Sequence, residues 1–151
     1  MREVEVFSEG AIILPYEGLD SETVQRLSGE ILDLTETDNV AVSVILSDNE
    51  FIQNINYGFR GKNRPTDVIS FAYRDEPFPV TGDTLEELGD IYISLEKARE
   101  QASEFGVTFL DEIKRLLIHG ILHLLGYEHE KDRDDAKKMR LLEEKLITLL
   151  K

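Results

Sequence analysis

The sequence predicts an α+β fold: a small mixed β-sheet covered by helices, packed around one buried central helix. Three observations predict it. Short β-branched runs alternate with segments of helical period through the first two thirds of the chain, whereas the last third is helical throughout. The segment from Ile113 to Leu125 is apolar on nearly every side, as a helix enclosed by other elements must be. No internal repeat, low-complexity tract or linker divides the 151 residues, which fit one domain spanning 1–151.

Taken in order, Val4 to Leu14 holds two short β-prone stretches separated by Glu9-Gly10. Asp20 or Ser21 can cap a helix whose apolar positions Val24, Leu27, Ile31 and Leu34 recur at spacings of three and four. Val40 to Leu46 has few polar residues and reads as a largely buried strand. Ser47 and Glu50 have the spacing of a capping box, opening a second helix with Ile52, Ile55 and Phe59 inward. A basic turn, Arg60-Gly61-Lys62-Asn63-Arg64-Pro65, feeds a strand from about Asp67 to Tyr73. Arg74 to Leu88 is a long connection carrying Pro77, Pro79 and Gly82, and loops of that length are commonly functional.

Gly89 to Ile93 reads as another strand, and Ser94 or Leu95 to Phe105 as a helix ended by Gly106. Thr108 with Asp111 caps the buried central helix. Asp132, Arg133, Asp134 and Asp135 form the solvated start of a last amphipathic helix with Met139, Leu142, Leu146 and Leu149 inward.

The composition limits function. Seventeen basic against 31 acidic residues give a net charge of −14, which argues against broad, nonspecific binding to nucleic acid but permits a local basic patch. A polyanionic substrate would need a concentrated positive site, helped by the charge of any bound metal. There is no cysteine, so disulfides and thiolate ligands are excluded and imidazole and carboxylate are the main metal-ligand options. With no signal segment at the start and no apolar run long enough for a membrane, a cytoplasmic location without membrane contact is expected.

All three histidines fall within eleven residues, His119-Gly120-Ile121-Leu122-His123-Leu124-Leu125-Gly126-Tyr127-Glu128-His129. Two imidazoles four residues apart share one helical face, about 6 Å apart. Gly126 can adopt positive φ, stop the helix and swing the chain back to bring in His129. Three neutral imidazoles with an open fourth position make a catalytic rather than a structural zinc arrangement. One zinc ion is the expected cofactor, although nickel, copper or iron suit the same ligands. The spacing matches the ligands of the zinc-protease motif H-E-x-x-H-x-x-G-x-x-H, so the central helix is zincin-like. The general-base glutamate of that motif is replaced by Gly120. Met139, ten residues past His129, reads as helix core rather than as the methionine turn of those proteases.

Three blocks together resemble the YbeY family of metal-dependent endoribonucleases. The histidine block is close to the family's H-G-x-L-H-L-x-G-Y-D-H. A second block, from Asn56 to Phe71, includes Tyr57, Arg60-Gly61-Lys62, Pro65-Thr66-Asp67-Val68 and Ser70-Phe71, and a third is Leu88-Gly89-Asp90-Ile91. Glu128 stands where the family usually has aspartate, Arg64 where lysine is common, and Ala72 where proline often follows.

The resemblance implies a zinc-dependent, single-strand-specific endoribonuclease. It would act in ribosomal RNA maturation at the small-subunit 3′ end and in ribosome quality control, with the ribosome or its proteins as partners. His119, His123 and His129 would hold the ion. Either water or the neighbouring 2′-hydroxyl could be the nucleophile. Arg60 is the candidate for the developing phosphoryl charge, because its planar fork can hold two phosphate oxygens. Lys62 and Arg64 can steer phosphate or simply solubilise the turn. Asp67 and Asp90 can orient a ligand histidine or merely end strands, and Glu128 can support the metal site or point into solvent. Tyr57 and Phe59 can stack on bases, though Phe59, at helical spacing from Ile55, reads first as core.

Two other functions compete. A peptidase-like metal hydrolase would share the ligand geometry, but Gly120 removes the base that peptide hydrolysis uses. A non-catalytic ribosome assembly factor would use the metal to stiffen its fold, which three ligands without a fourth do not favour.

Overall fold

The computed structural model describes residues 1–75, 85–127 and 133–151. The elements are β1 (Arg2–Ser8), α1 (Ser21–Leu34), β2 (Val40–Ser47), α2 (Asn49–Arg60), β3 (Val68–Ala72), a short 3-10 turn (Tyr73–Asp75), β4 (Glu86–Ser94), α3 (Leu95–Phe105), α4 (Phe109–Leu124) and α5 (Arg133–Leu149). The four strands lie in the order β1-β2-β4-β3. β1 and β2 are parallel, as are β2 and β4, and β3 runs antiparallel along the outer edge of β4. This is the mixed sheet of the expected α+β class.

The register sorts residues between the two faces of the sheet. Val44 pairs with Ile91 and Leu46 with Ile93, and all four join the main core together with residues of α1 and α4. Alternation sends Asp90 and Tyr92 of β4, and their partners Phe71 and Ile69 of β3, to the opposite face. There α2 lies over the sheet: Phe51 stacks on Tyr92 at 6.4 Å, and Phe59 meets Phe71 edge-on at 5.1 Å.

α4 is the buried central helix. Thr108 accepts from the Asp111 N–H and starts it, and Ile113, Leu116, Leu117, Ile121, Leu122 and Leu124 are fully buried. Each such side chain contributes about 1.5–3 kcal/mol on burial. Against the sheet the packing is close. A β-carbon at position 120 would lie 2.9 Å from Ile91 Cγ2, so Gly120 lets helix and strand approach closely. Gly89, at φ 147, marks a second close approach: a β-carbon there would lie 2.0 Å from the Phe71 carbonyl oxygen. The β2–β4 register shifts beside it, between Ala41 and Val42, as a bulge requires.

Several expectations need correction. The second β-prone stretch forms no strand: Ala11 N–H donates to Asp48 Oδ2 at 2.9 Å, and Ile12 and Leu14 pack on the core without a ladder partner. On α1, Leu32 is buried and Leu34 faces outward. α2 is capped by Asp48, which accepts from Phe51 N–H at 2.9 Å, while Ser47 is spent on the sheet, donating to the Ile93 carbonyl at 3.1 Å. The connection after β3 is shorter than expected, because β4 begins at Glu86, opposite Val40 and gripped by two hydrogen bonds from Arg74. Pro77, Pro79, Gly82 and Asp132 lie outside the described residues. On α5 the inward stripe ends in Leu150, not Leu149, and Met139 is core as expected.

Candidate active site

Along α4, Glu112, Arg115, His119 and His123 follow at spacings of three and four, which puts them on one side of the helix. His119 and His123 are half-buried on a helix that is otherwise mostly enclosed. The helix then ends as its glycine predicts. Gly126 takes φ 99, its N–H donates to the His123 carbonyl, and Tyr127 N–H donates to that of Leu122. His129 and Glu128 lie outside the described residues.

His119 has a neighbour that local reasoning could not supply. Its Nδ1 lies 3.4 Å from Glu143 Oε1 on α5. A carboxylate on one ring nitrogen fixes the tautomer and leaves Nε2 to face an ion, the arrangement common around metal-bound histidine. The signal was present in the chain: Met139, Glu143, Leu146 and Leu150 recur at four, three and four, so a carboxylate sits on the buried stripe of α5. Two half-buried imidazoles on one helical face, one backed by a carboxylate, fit a divalent transition metal.

One turn earlier on α4, Glu112 is 1 % exposed and fully engaged. Arg115 grips it through Nε and Nη2, both at 2.7 Å, and Gln101 Nε2 donates at 2.6 Å. Hydrogen bonding and charge from Glu112 push the Arg115 guanidinium up, keeping it charged. A buried carboxylate costs several kcal/mol unless paired in this way.

The same network reaches the basic turn. Asp67 accepts from Gln101 Nε2 at 3.1 Å, and its Oδ2 lies 3.5 Å from Arg115 Nη2. Its other oxygen accepts from the Val68 N–H at 2.7 Å, where β3 begins. Asp67 thus sits at the entry to β3 and couples it to α3 and α4. Together with Gln101 it also lines a cavity of about 330 Å³ with Arg60, Lys62, Arg64 and Lys97. Among the described residues, four cations and one carboxylate line it, on a chain of net charge −14. At this pocket Asn56 is 2 % exposed. Its amide donates to the Arg64 carbonyl at 2.9 Å, and its Oδ1 has no hydrogen-bond partner among the described residues.

The structure therefore gathers Arg60, Lys62, Arg64 and Asp67 into one pocket and adds Lys97, which the sequence did not single out. No histidine lines that pocket among the described residues. What joins the two is the chain of hydrogen bonds through Asp67, Gln101, Glu112 and Arg115, ending one turn from His119. Asp90 lies elsewhere, on the opposite face of the sheet, where it accepts from the Tyr73 hydroxyl at 2.7 Å. That bond, then burial, push the Tyr73 phenol up to about 12. Phe59 is 70 % exposed and not core, and Tyr57 is exposed as well.

Comparison with known proteins places the chain in a family. The family model described as Endoribonuclease YbeY matches residues 16–151. A protein named Endoribonuclease YbeY from Sulfurihydrogenibium sp. (strain YO3AOP1) is 47 % identical over 127 residues, covering 84 % of this chain and 81 % of the relative. Its namesake from Persephonella marina is 44 % identical over 124 residues, covering 82 % and 79 %. The solution structure of a Thermotoga maritima protein superposes with a TM-score of 0.61 at 33 % identity, covering 95 % of this chain and 86 % of that one. On the match over residues 16–151 and on these relatives, the chain belongs to the YbeY endoribonuclease family.

Proposed function

We propose that this chain is a zinc-dependent endoribonuclease that cuts single-stranded RNA, acting in maturation of the small-subunit ribosomal RNA 3′ end and in ribosome quality control. The observation that carries the RNA reading is the four-cation pocket, built beside the histidine helix on an otherwise acidic chain. His119, His123 and His129 would hold the ion, which supplies Lewis acidity: a more acidic water and an electrostatic partner for a phosphoryl oxygen. The rest falls to the protein. Arg60 takes two oxygens of the scissile phosphate in its fork and offsets the charge that develops there. Lys62, Arg64 and Lys97 hold the flanking backbone. Asn56 Oδ1 offers a buried acceptor beside them that a hydroxyl donor would satisfy. Glu143 orients His119, and the Glu112–Arg115–Asp67 network fixes α4 against the turn that carries the cations.

Gly120 separates this reading from a peptidase. Besides lacking a carboxylate, position 120 faces Ile91 with no room for one. The zinc-loaded protein should cut single-stranded RNA and spare both duplex RNA and peptides, with cutting lost in His123→Ala. Peptide hydrolysis, or undiminished RNA cutting by His123→Ala, would sink the proposal.

A further inference from the structure

The structure assigns a second binding element to the face of the sheet under α2: a cavity that holds an unpaired nucleobase of the RNA strand. The assignment rests on the RNA reading above and deepens it. The cavity is about 580 Å³, within the range of about 300–1,000 Å³ that small-molecule sites occupy. Phe59, Phe71 and Tyr92 line it as a row of rings, Phe59 edge-on to Phe71 at 5.1 Å and Phe71 edge-on to Tyr92 at 5.8 Å. Phe59 is 70 % exposed, so contact with Phe71 occupies one side of the ring and leaves much of it open to a ligand. A large apolar ring on the last turn of an amphipathic helix would ordinarily turn inward, as the spacing of Phe59 from Ile55 suggested.

The chemistry of the walls selects the ligand. Asp75 and Asp90 line the cavity and, among the described residues, no lysine or arginine does, so phosphate is disfavoured there. A base is flat, uncharged and rich in N–H donors. Its ring can stack on Phe59, and an exocyclic amino group can donate to the carboxylate of Asp90, whose Oδ2 is already held in place by the Tyr73 hydroxyl. The cation pocket lies on the other flank of the same helical turn. Phe59 and Arg60 are consecutive, with α-carbons about 3.8 Å apart and side chains diverging by about 100°. One turn of α2 thereby sorts a nucleotide: backbone phosphate to Arg60, base to Phe59.

The experiment measures binding of the zinc-loaded full chain to a short, cleavage-resistant phosphorothioate single-stranded RNA carrying 2-aminopurine. An otherwise identical strand that is abasic at that position serves as the reference. Wild type should quench the 2-aminopurine. Phe59→Ala should abolish the quenching and weaken binding about 5- to 150-fold, the loss expected for one base–aromatic stack. Phe59→Tyr, which keeps the ring, should restore both, and the abasic strand should bind wild type and Phe59→Ala alike. If wild type binds the strand without quenching, or Phe59→Ala binds as tightly as wild type, the base site is wrong while the RNA reading stands. If wild type binds neither strand, the RNA reading fails and the base site falls with it.

Discussion

On the side of α4 that meets the sheet, Gly120 and Leu124 press against Ile91 and Gly89, and there is no space for another atom. On another side of the same helix, which also carries His123, Glu112, Arg115 and His119 meet Gln101, Asp67 and Glu143, side chains drawn from α3, the β3 entry and α5. The first surface is settled by volume, so its residues are small or branched and apolar. The second is settled by charge and hydrogen bonding, and beyond the local Glu112–Arg115 pair its partners come from other elements. A functional helix of this kind is held rigidly by one face so that the other can present its donors at fixed positions.

The most damaging change should be on the packed face. Gly120→Glu, which restores the zinc-protease glutamate, forces a charge into the Ile91 contact. It should cost more than about 3 kcal/mol of stability, as uncompensated buried charges do, and chemical denaturation would show it. A variant that folds normally would mean that Gly120 has chemical rather than packing significance.

On the polar face, Glu143→Gln should leave the fold intact but lower metal affinity or cutting about 10- to 100-fold, the usual effect of removing a carboxylate behind a ligand histidine. Glu144→Gln, on the neighbouring exposed position, should leave both unchanged. Equal behaviour of the two variants in a zinc titration would remove Glu143 from the account.

The smallest effect lies on the far side of the sheet. Tyr73 is held up to about 12 chiefly by its hydrogen bond to Asp90. Because the folded value lies above the ordinary one, near 10, the stability it contributes is fully present below about pH 10 and is lost as pH climbs towards 12. Phenolate absorbance should show a late-titrating tyrosine in the wild type. In Asp90→Asn that component should move down, and a profile identical to wild type would refute the assignment.

How much of this was legible beforehand follows the same division. The apolar run of α4, the Thr108 and Ser94 caps and the Gly126 stop are local, so the residues that make them are adjacent in sequence and readable there. Asp48, rather than Ser47, caps α2 because Ser47 is claimed by Ile93 of a strand more than forty residues on. Phe59 meets Phe71 yet stays 70 % exposed, and the residue buried beside Ile52 is the polar Asn56, whose amide secures the basic turn through the Arg64 carbonyl. Glu143 was invisible for a related reason. Its meaning depends on His119, 24 residues earlier, and only the packing of α5 on α4 brings the two together.

In the proposed reaction Arg60 and the histidine helix act together, with Arg60 on phosphate and taking no part in holding the metal. Arg60→Ala, assayed for bound zinc and for single-stranded RNA cutting in the same preparation, tests this most directly. Arg60→Ala should keep a full complement of zinc while cutting slows about 10²- to 10³-fold, the loss that follows removal of one preorganised charge-stabilising group. Cutting at the wild-type rate would contradict this role.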